Sequence, residues 1–175
     1  MKIDAYLTPY YPEREDRFKD KIVIMLDVFR SSASVCAALC AGAKEIIPAE
    51  TIERAATVFG MLDRDIRFLG GERKGMKLNN FDAGNSPAEY TAERVGGKTI
   101  VLTTTNGAMI YQRAKDAKAR FIASFVNKAI LLETLEKNYL NDGTEGLEIV
   151  FLCAGTDGRV SYEDSLAAGC FIDAL

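Results

Sequence analysis

The chain has no histidine and no tryptophan among its 175 residues, and only four cysteines. Without histidine there is no Ser-His-Asp triad, no Cys-His pair, no histidine phosphatase and almost no route to a catalytic zinc site. Acid–base work falls to carboxylates, Cys, Lys, Tyr or metal-bound water. The missing tryptophan excludes nothing. Four cysteines are too few for a disulfide framework in a chain of this size. Cys36 and Cys40 stand one helical turn apart in the apolar run SVCAALCAGA and read as small buried thiols. A zinc pair there lacks two further ligands. No apolar run approaches the ~18 residues of a membrane span, and MKIDAYLTPYYPERED has no apolar signal core. A cytoplasmic protein without a membrane partner is expected. The 22 basic and 25 acidic residues leave a net charge of -3, which offers no general attraction to nucleic acid.

What is present is an ordinary globular composition, 48% apolar and 27% charged. A chain this long buries roughly 70% of its unfolded surface and needs no staple. Strand-like runs cover Met1–Thr8, Lys21–Val28, Glu45–Ala49, Ile66–Gly70, Lys98–Thr105, Arg120–Phe125 and Leu147–Cys153. Several are continuously apolar (IVIMLDV, TIVLT, IVFLCAG), as strands covered on both faces are. Helical patterns fill the intervals: Ser32–Ala43, Thr51–Leu62, Ser86–Val95, Gly107–Ala117, Lys128–Leu140 and Tyr162 onward. Ser86-Pro87-Ala88-Glu89 carries a capping box with proline in the first turn. The alternation predicts an α/β protein of three layers, α/β/α, around a largely parallel sheet. It reads as one domain over residues 1–175. Gly70–Pro87 is the longest stretch without periodicity, and long ordered loops are often functional. The chain stops in a helical pattern without a cap, so a further carboxyl-terminal element is expected.

Ligands of open α/β sheets bind beyond the carboxyl ends of the strands. Those positions here hold DVFRSS from Asp27, GER from Gly71, TTTNG from Thr103, SFVN from Ser124 and GTDGR from Gly155, with Glu163-Asp164 following. Polar residues and glycines thus gather on one edge at five strands. Asp27 and Arg30 read either as an ion pair or as a ligand-binding pair, the arginine meeting an anion. Thr104, Thr105, Asn106 and Gly107 suit an anion nest of backbone amides, although Thr-Asn-Gly also makes an ordinary turn. The mixed-charge loop GERKGMKLNNFDAGNSP carries Glu72, Arg73, Lys74, Lys77 and Asp82, and its Asn85-Ser86-Pro87 exit opens a helix. Cys153 and Arg159 have the spacing of a cysteine-phosphatase loop, but Asp157 lies between them. A cysteine closing an apolar strand reads better as core. Arginines and amides suit phosphate or sulfonate, and carboxylates suit Mg²⁺. Metal-assisted phosphoester hydrolysis follows, with simple anion binding as the rival.

The strings DVFRSSAS, GERKGMKLNNFDAGNSPAEY, GKTIVLTTTNG, ASFVN and CAGTDGRVSYED resemble the 2-phosphosulfolactate phosphatase family, in the family's order and from Lys21 to about Gly169. The combination of FDxGNSPxEY with TTTNG carries the resemblance. It implies a Mg²⁺-dependent acid phosphatase that releases phosphate from (R)-2-phospho-3-sulfolactate in coenzyme M biosynthesis. It also implies two similar, intimately packed subdomains, near 1–95 and 96–175, and a possible homodimer. The family motifs fall on Asp27, Arg30, Glu72, Arg73, Lys77, Asp82, Gly84, Asn85, Ser86, Thr104, Thr105, Asn106, Gly107, Ser124, Asn127, Gly155, Gly158, Glu163 and Asp164. Phe29 replaces a usual leucine, Asn80 a usual glycine and Ala108 a frequent hydroxyl residue.

A small, strongly anionic phosphorylated substrate is expected to meet Arg30, Arg73, Lys77 and Arg159, with Asn85, Ser86, Thr104, Thr105, Asn106, Gly107, Ser124 and Asn127 around it. Mg²⁺ is assigned to Asp27, Asp82, Glu163 and Asp164, the acidic role to Glu72 or one of the pair Glu163–Asp164. Direct attack by Asp27 is the variant within the same reaction. A metal-free Cys153 phosphatase, a non-catalytic anion binder and a phosphatase for another phosphoester are the alternatives.

Overall fold

A computed structural model describes residues 1–10, 17–141 and 143–175. The last residues of the amino-terminal stretch read for a signal core lie outside that description. Eight strands are present: β1 Lys2–Tyr6, β2 Ile22–Leu26, β3 Glu45–Pro48, β4 Arg67–Arg73, β5 Met76–Lys77, β6 Thr99–Thr103, β7 Ala119–Ala123 and β8 Glu148–Cys153. The α-helices are α1 Ala33–Cys40, α2 Ile52–Met61, α3 Ala92–Val95, α4 Gly107–Arg113, α5 Lys128–Leu135 and α6 Tyr162–Ile172.

The strands form two sheets. The first runs β1-β8-β2-β7 and is wholly parallel. The second runs β3-β6-β4-β5, parallel except for the short β5. Each sheet is covered on both faces, as its continuous apolar runs require. Alternate residues of β2 and β8 (Ile22, Ile24, Leu26, Ile149, Phe151) meet α5 and α6 through Leu131, Leu135, Ala167 and Phe171. The intervening residues Val23, Met25, Val150 and Leu152 meet α4 through Ile110 and Ala114. In the second sheet Phe68, Ile100 and Leu102 pack on Val35 and Ala38 of α1, and Leu69 and Val101 on Ala55 of α2. The α/β/α layering is therefore built twice.

The sheets do not divide the chain near residue 95. Strands before residue 27 and after residue 118 make the first sheet, and β3 through β6 make the second. The two are interleaved by their crossovers. Helix α1 leaves the first sheet after β2 yet packs on the second, and α4 leaves the second after β6 yet packs on the first. Hence the turns after β2 and β6 lie at one seam.

Two helical patterns are broken. The capping box of Ser86 and Glu89 is formed, but it opens a single 3₁₀ turn, Pro87–Glu89, before α3 begins. Tyr90 interrupts, because its buried hydroxyl donates to the Gly84 carbonyl at 2.7 Å. The pattern over Lys128–Leu140 continues past α5 as a wider turn, Glu136–Leu140. The aperiodic stretch from Gly70 is partly strand. β4 runs on to Arg73, turns through Lys74 and Gly75, and the chain returns beside it, the Gly71 amide donating to the Ala83 carbonyl at 3.0 Å. Among the described residues no helix is long and apolar enough to cross a membrane.

Phe151 sits fully buried against Phe171, with ring centroids 6.2 Å apart. Truncation of Phe151 to alanine is expected to cost about 3–5 kcal/mol, read as a lower denaturation midpoint at unchanged slope.

Candidate active site

The seam between the sheets is built from three turns. After β2 the backbone curls through Val28–Ser32, and Asp27 heads that curl. Its Oδ1 accepts the Ser31 amide at 3.2 Å, and its own amide donates to Ser32 Oγ at 3.0 Å. Across the seam lies Gly107, so close that a side chain there would collide with Ser31 Oγ and come within 3.0 Å of Asp27 Oδ2. Only glycine lets the TTTNG turn approach. The amides of Asn106 and Gly107 have no hydrogen-bond partner among the described residues, and neither has Asp27 Oδ2. Met25, Asp27, Ser31, Ser32, Gly107 and Tyr111 line a narrow crevice at this point.

Two further carboxylates hold the turns in place. Asp164, 3% exposed in the first turn of α6, accepts the Val28 amide on Oδ1 at 2.8 Å and the Gly155 amide on Oδ2 at 3.0 Å. It thereby ties the turn after β2 to the turn after β8. Glu72 does the same in the second sheet. Its Oε1 accepts the Thr105 amide and hydroxyl at 2.7 and 2.9 Å, and its Oε2 accepts the Gly75 amide at 2.7 Å. Arg30 bridges the two assemblies by donating to the Gly75 carbonyl at 3.0 Å. No Asp27–Arg30 ion pair forms.

The electrostatics follow from this crowding. Burial pushes the Asp27 carboxyl up to about 7, aided by the charge of Asp164, partly offset by the Ser31 amide, and raised further by Glu72 and Glu163. Burial likewise pushes Asp164 up to about 6, while the Val28 and Gly155 amides hold it down. Asp164 has two amides and Asp27 one, so the repulsion between them falls on Asp27. Cys153 is fully buried, and desolvation pushes its thiol up to about 12. Both the burial and the raised proton affinity disfavour a thiolate nucleophile at this position.

The remaining expected residues are placed as follows. Asp82 is exposed, its carboxylate accepts the Leu69 amide at 2.8 Å, and its charge is not among those raising Asp27. It closes the return beside β4. Arg73 is committed to the carbonyls of Glu72 and Glu50 and to Thr103 Oγ1. Lys77 is exposed and has no ion pair among the described residues. Thr104 is buried and its hydroxyl accepts the Ala108 amide at 3.3 Å. Asn127 closes the turn after β7 by accepting the Ser124 amide at 2.8 Å and donating to the Ile122 carbonyl. The Asn85 carbonyl accepts from Ser34, and its buried Oδ1 has no partner among the described residues. Ser86 serves its capping box. Arg159 stands at the far side of the turn after β8, beside Glu163.

A family model described as 2-phosphosulpholactate phosphatase matches residues 6–175. The chain belongs to the 2-phosphosulfolactate phosphatase family. It is 39% identical over 173 residues to a probable 2-phosphosulfolactate phosphatase of Caldicellulosiruptor saccharolyticus, covering 99% of this chain and 69% of that protein. To the protein of the same name in Clostridium beijerinckii it is 37% identical over 161 residues, covering 92% and 65%. To that of Caldanaerobacter subterraneus it is 36% identical over 176 residues, covering 100% and 69%.

Within this phosphatase family's motifs, the oxygens of the four expected metal ligands are unequally available. Both oxygens of Asp164 accept amides, and Asp82 caps a turn elsewhere. Asp27 Oδ2 and the Glu163 carboxylate take no hydrogen bond among the described residues. Among those residues no three carboxylates or cysteines cluster tightly enough to enclose an ion. Two open carboxylates fit Mg²⁺, which commonly takes one or two and completes its octahedron with waters and substrate phosphate. Ser161, whose hydroxyl accepts the Asp164 amide at 3.3 Å, and Gly75, on which Glu72 and Arg30 converge, are not among the residues expected from the sequence. Ser-x-x-Asp before a helical run was the available signal for Ser161; Gly75 had none beyond its glycine.

An Asp27 that binds its proton at about 7 when folded and near 3.8 when unfolded makes the folded state the better proton acceptor between those values. Stability due to this group is therefore greatest at low pH and falls as pH rises toward 7. In metal-free buffer Asp27→Asn is expected to raise unfolding free energy by about 2–4 kcal/mol at pH 8 and by little near pH 4. Urea denaturation at the two pH values checks it.

Proposed function

We propose that the protein is a Mg²⁺-dependent phosphatase acting on 2-phospho-3-sulfolactate, the reaction that the resemblance links to coenzyme M biosynthesis. The observation that carries this reading is the free Asp27 Oδ2 beside the unpaired amides of Asn106 and Gly107, at the seam of a chain belonging to this family. Amides aimed at one point hold the oxygens of a tetrahedral oxyanion without side-chain charge. Arg30 and Lys77 supply positive charge at the rim, and Arg73, spent on three oxygens of its own chain, holds the Thr103 end of the turn.

Asp27 and Glu163 are the residues that would hold Mg²⁺. When bound, the ion neutralises phosphate charge and acidifies a water. Asp164 keeps Asp27 in place through the Val28 amide, and Glu72 keeps the Asn106–Gly107 turn in place through Thr105. Each oxygen of Asp164 and of Glu72 already accepts a backbone amide. Burial of Ser31, Ser32, Thr104 and Asp27 limits water at the crevice to the reacting face.

Mg²⁺ competes with the Asp27 proton, so the ion is held less well below pH 7. Phosphate release from phosphosulfolactate, titrated with Mg²⁺ at pH 5.5, 6.5 and 7.5, is expected to need up to about tenfold more Mg²⁺ per unit of falling pH, and to stop in EDTA. EDTA-resistant turnover, or a Mg²⁺ requirement that does not change with pH, would contradict the assignment.

A further inference from the structure

Helix α1 carries Cys36 and Cys40, for which the reaction proposed above has no use. The apolar run around them suggested buried thiols. The helix instead packs on the second sheet through Val35 and Ala38, which leaves Cys36 half-buried and Cys40 exposed. We propose that this pair is a chelating site for a thiophilic two-coordinate centre, with trivalent organoarsenicals as the ligand class. The inference is independent of the phosphatase reading.

Three observations carry it. The first is spacing. Residues four apart on a helix have Cβ atoms about 5–6 Å apart on one face. A direct disulfide needs Cβ atoms about 3.5–4.5 Å apart, so this pair does not close an S–S bond without unwinding the helix. One interposed atom bonded to both sulfurs spans the difference. The electrostatics agree that the thiols are neighbours: burial pushes the Cys36 thiol up, and Cys40 raises it further.

The second is access on a fixed frame. Ala33, Ala37 and Ala41 flank the two cysteines with nothing longer than a methyl group. The last turn of α1 is tied off by the Ala41 and Gly42 amides, which donate to the Ala37 and Leu39 carbonyls at 2.9 and 3.0 Å. Gly42 has a φ of 86°, and its carbonyl accepts the Gly97 amide at 2.7 Å. Cys40, the last residue of the helix, is therefore held, and chelation costs little further ordering.

The third is the donor set. Among the described residues no third Cys, Asp or Glu joins the pair to enclose a metal ion. Structural zinc takes four ligands, and Mg²⁺ and Ca²⁺ take oxygens. Two soft sulfurs without a third donor select a soft centre that two thiolates satisfy. An arsenoxide meets this requirement. Binding forms two As–S bonds, breaks two S–H bonds and the arsenic–oxygen bond, and releases both hydrogens with the oxygen as one water. Arsenic stays trivalent, so no oxidant or reductant takes part. Cys153 is fully buried and Cys170 has no cysteine one turn away, so neither offers a second pair.

The test treats the reduced, folded protein with phenylarsine oxide, challenges it with excess glutathione, and reads the adduct by native mass spectrometry. Wild type is expected to retain one phenylarsenic group per chain and to release it to 2,3-dimercaptopropanol, which offers two thiols of its own. In a tryptic digest the group is expected on the peptide 31–44, which holds both cysteines. Cys40→Ser, at an exposed position, is expected to give up the group at a glutathione concentration lower by about 100-fold or more, because a lone thiol lacks the effective concentration of the second. Cys36→Ala is expected to do the same, and Cys170→Ser to behave as wild type. No retention by wild type, retention undiminished in Cys40→Ser, or a loss of retention in Cys170→Ser would overturn the proposal.

Discussion

Two buried carboxylates accepting backbone amides hold the candidate site together. Asp164 receives Val28 and Gly155, and Glu72 receives Thr105 and Gly75. Each joins a strand-end turn to a glycine-bearing turn of the same sheet. Burying a carboxylate costs several kcal/mol unless donors surround it, so the amides are what allow these two to remain inside. The arrangement recurs in both sheets. That repetition is the structural content of the two similar halves, although the halves are assembled from interleaved stretches of chain.

The chemistry of the site follows from which oxygens are left over. Every oxygen of Asp164 and Glu72 already accepts a backbone amide. Asp82 accepts the Leu69 amide of β4. Asp27 retains Oδ2 at the seam, facing a turn whose Asn106 and Gly107 amides are also unpaired. Burial and the neighbouring acids raise its proton affinity to the range where ionisation and cation binding become linked. Cys153, by contrast, is deep in the core at the end of β8, where burial disfavours the thiolate. The interleaved crossovers make this possible: α1 and α4 each leave one sheet and cover the other, so the turns that precede them must meet.

All seven strand candidates and all six helical patterns correspond to elements of the structure, because a five-residue apolar strand between amphipathic segments leaves a strong signal. The edge of polar residues at the carboxyl ends was equally legible, since loops after parallel strands project to one side. Pairing was not. Nothing in a strand's composition says which neighbour it joins, and a rhythm of alternating elements fits one sheet or two. β5 escaped notice because two residues carry no period, and Gly70-Gly71 hid the continuation of β4. The roles within the acidic set were hidden for a related reason. Asp27, Asp82 and Asp164 look alike in sequence, and only the amides that reach them tell a structural clamp from an open ligand.

The proposed reaction turns on Asp27 facing the substrate, rather than the buried Asp164 or the buried Cys153. The direct measurement is phosphate release from phosphosulfolactate in saturating Mg²⁺ by Asp27→Asn, with circular dichroism to confirm the fold. A folded variant slowed by about 10³-fold or more in kcat is the predicted result, since loss of a group acting at the reacting phosphate removes about 4 kcal/mol of transition-state stabilisation. A folded Asp27→Asn protein within tenfold of wild type would contradict this role for Asp27 and move the reacting centre elsewhere on the strand edge.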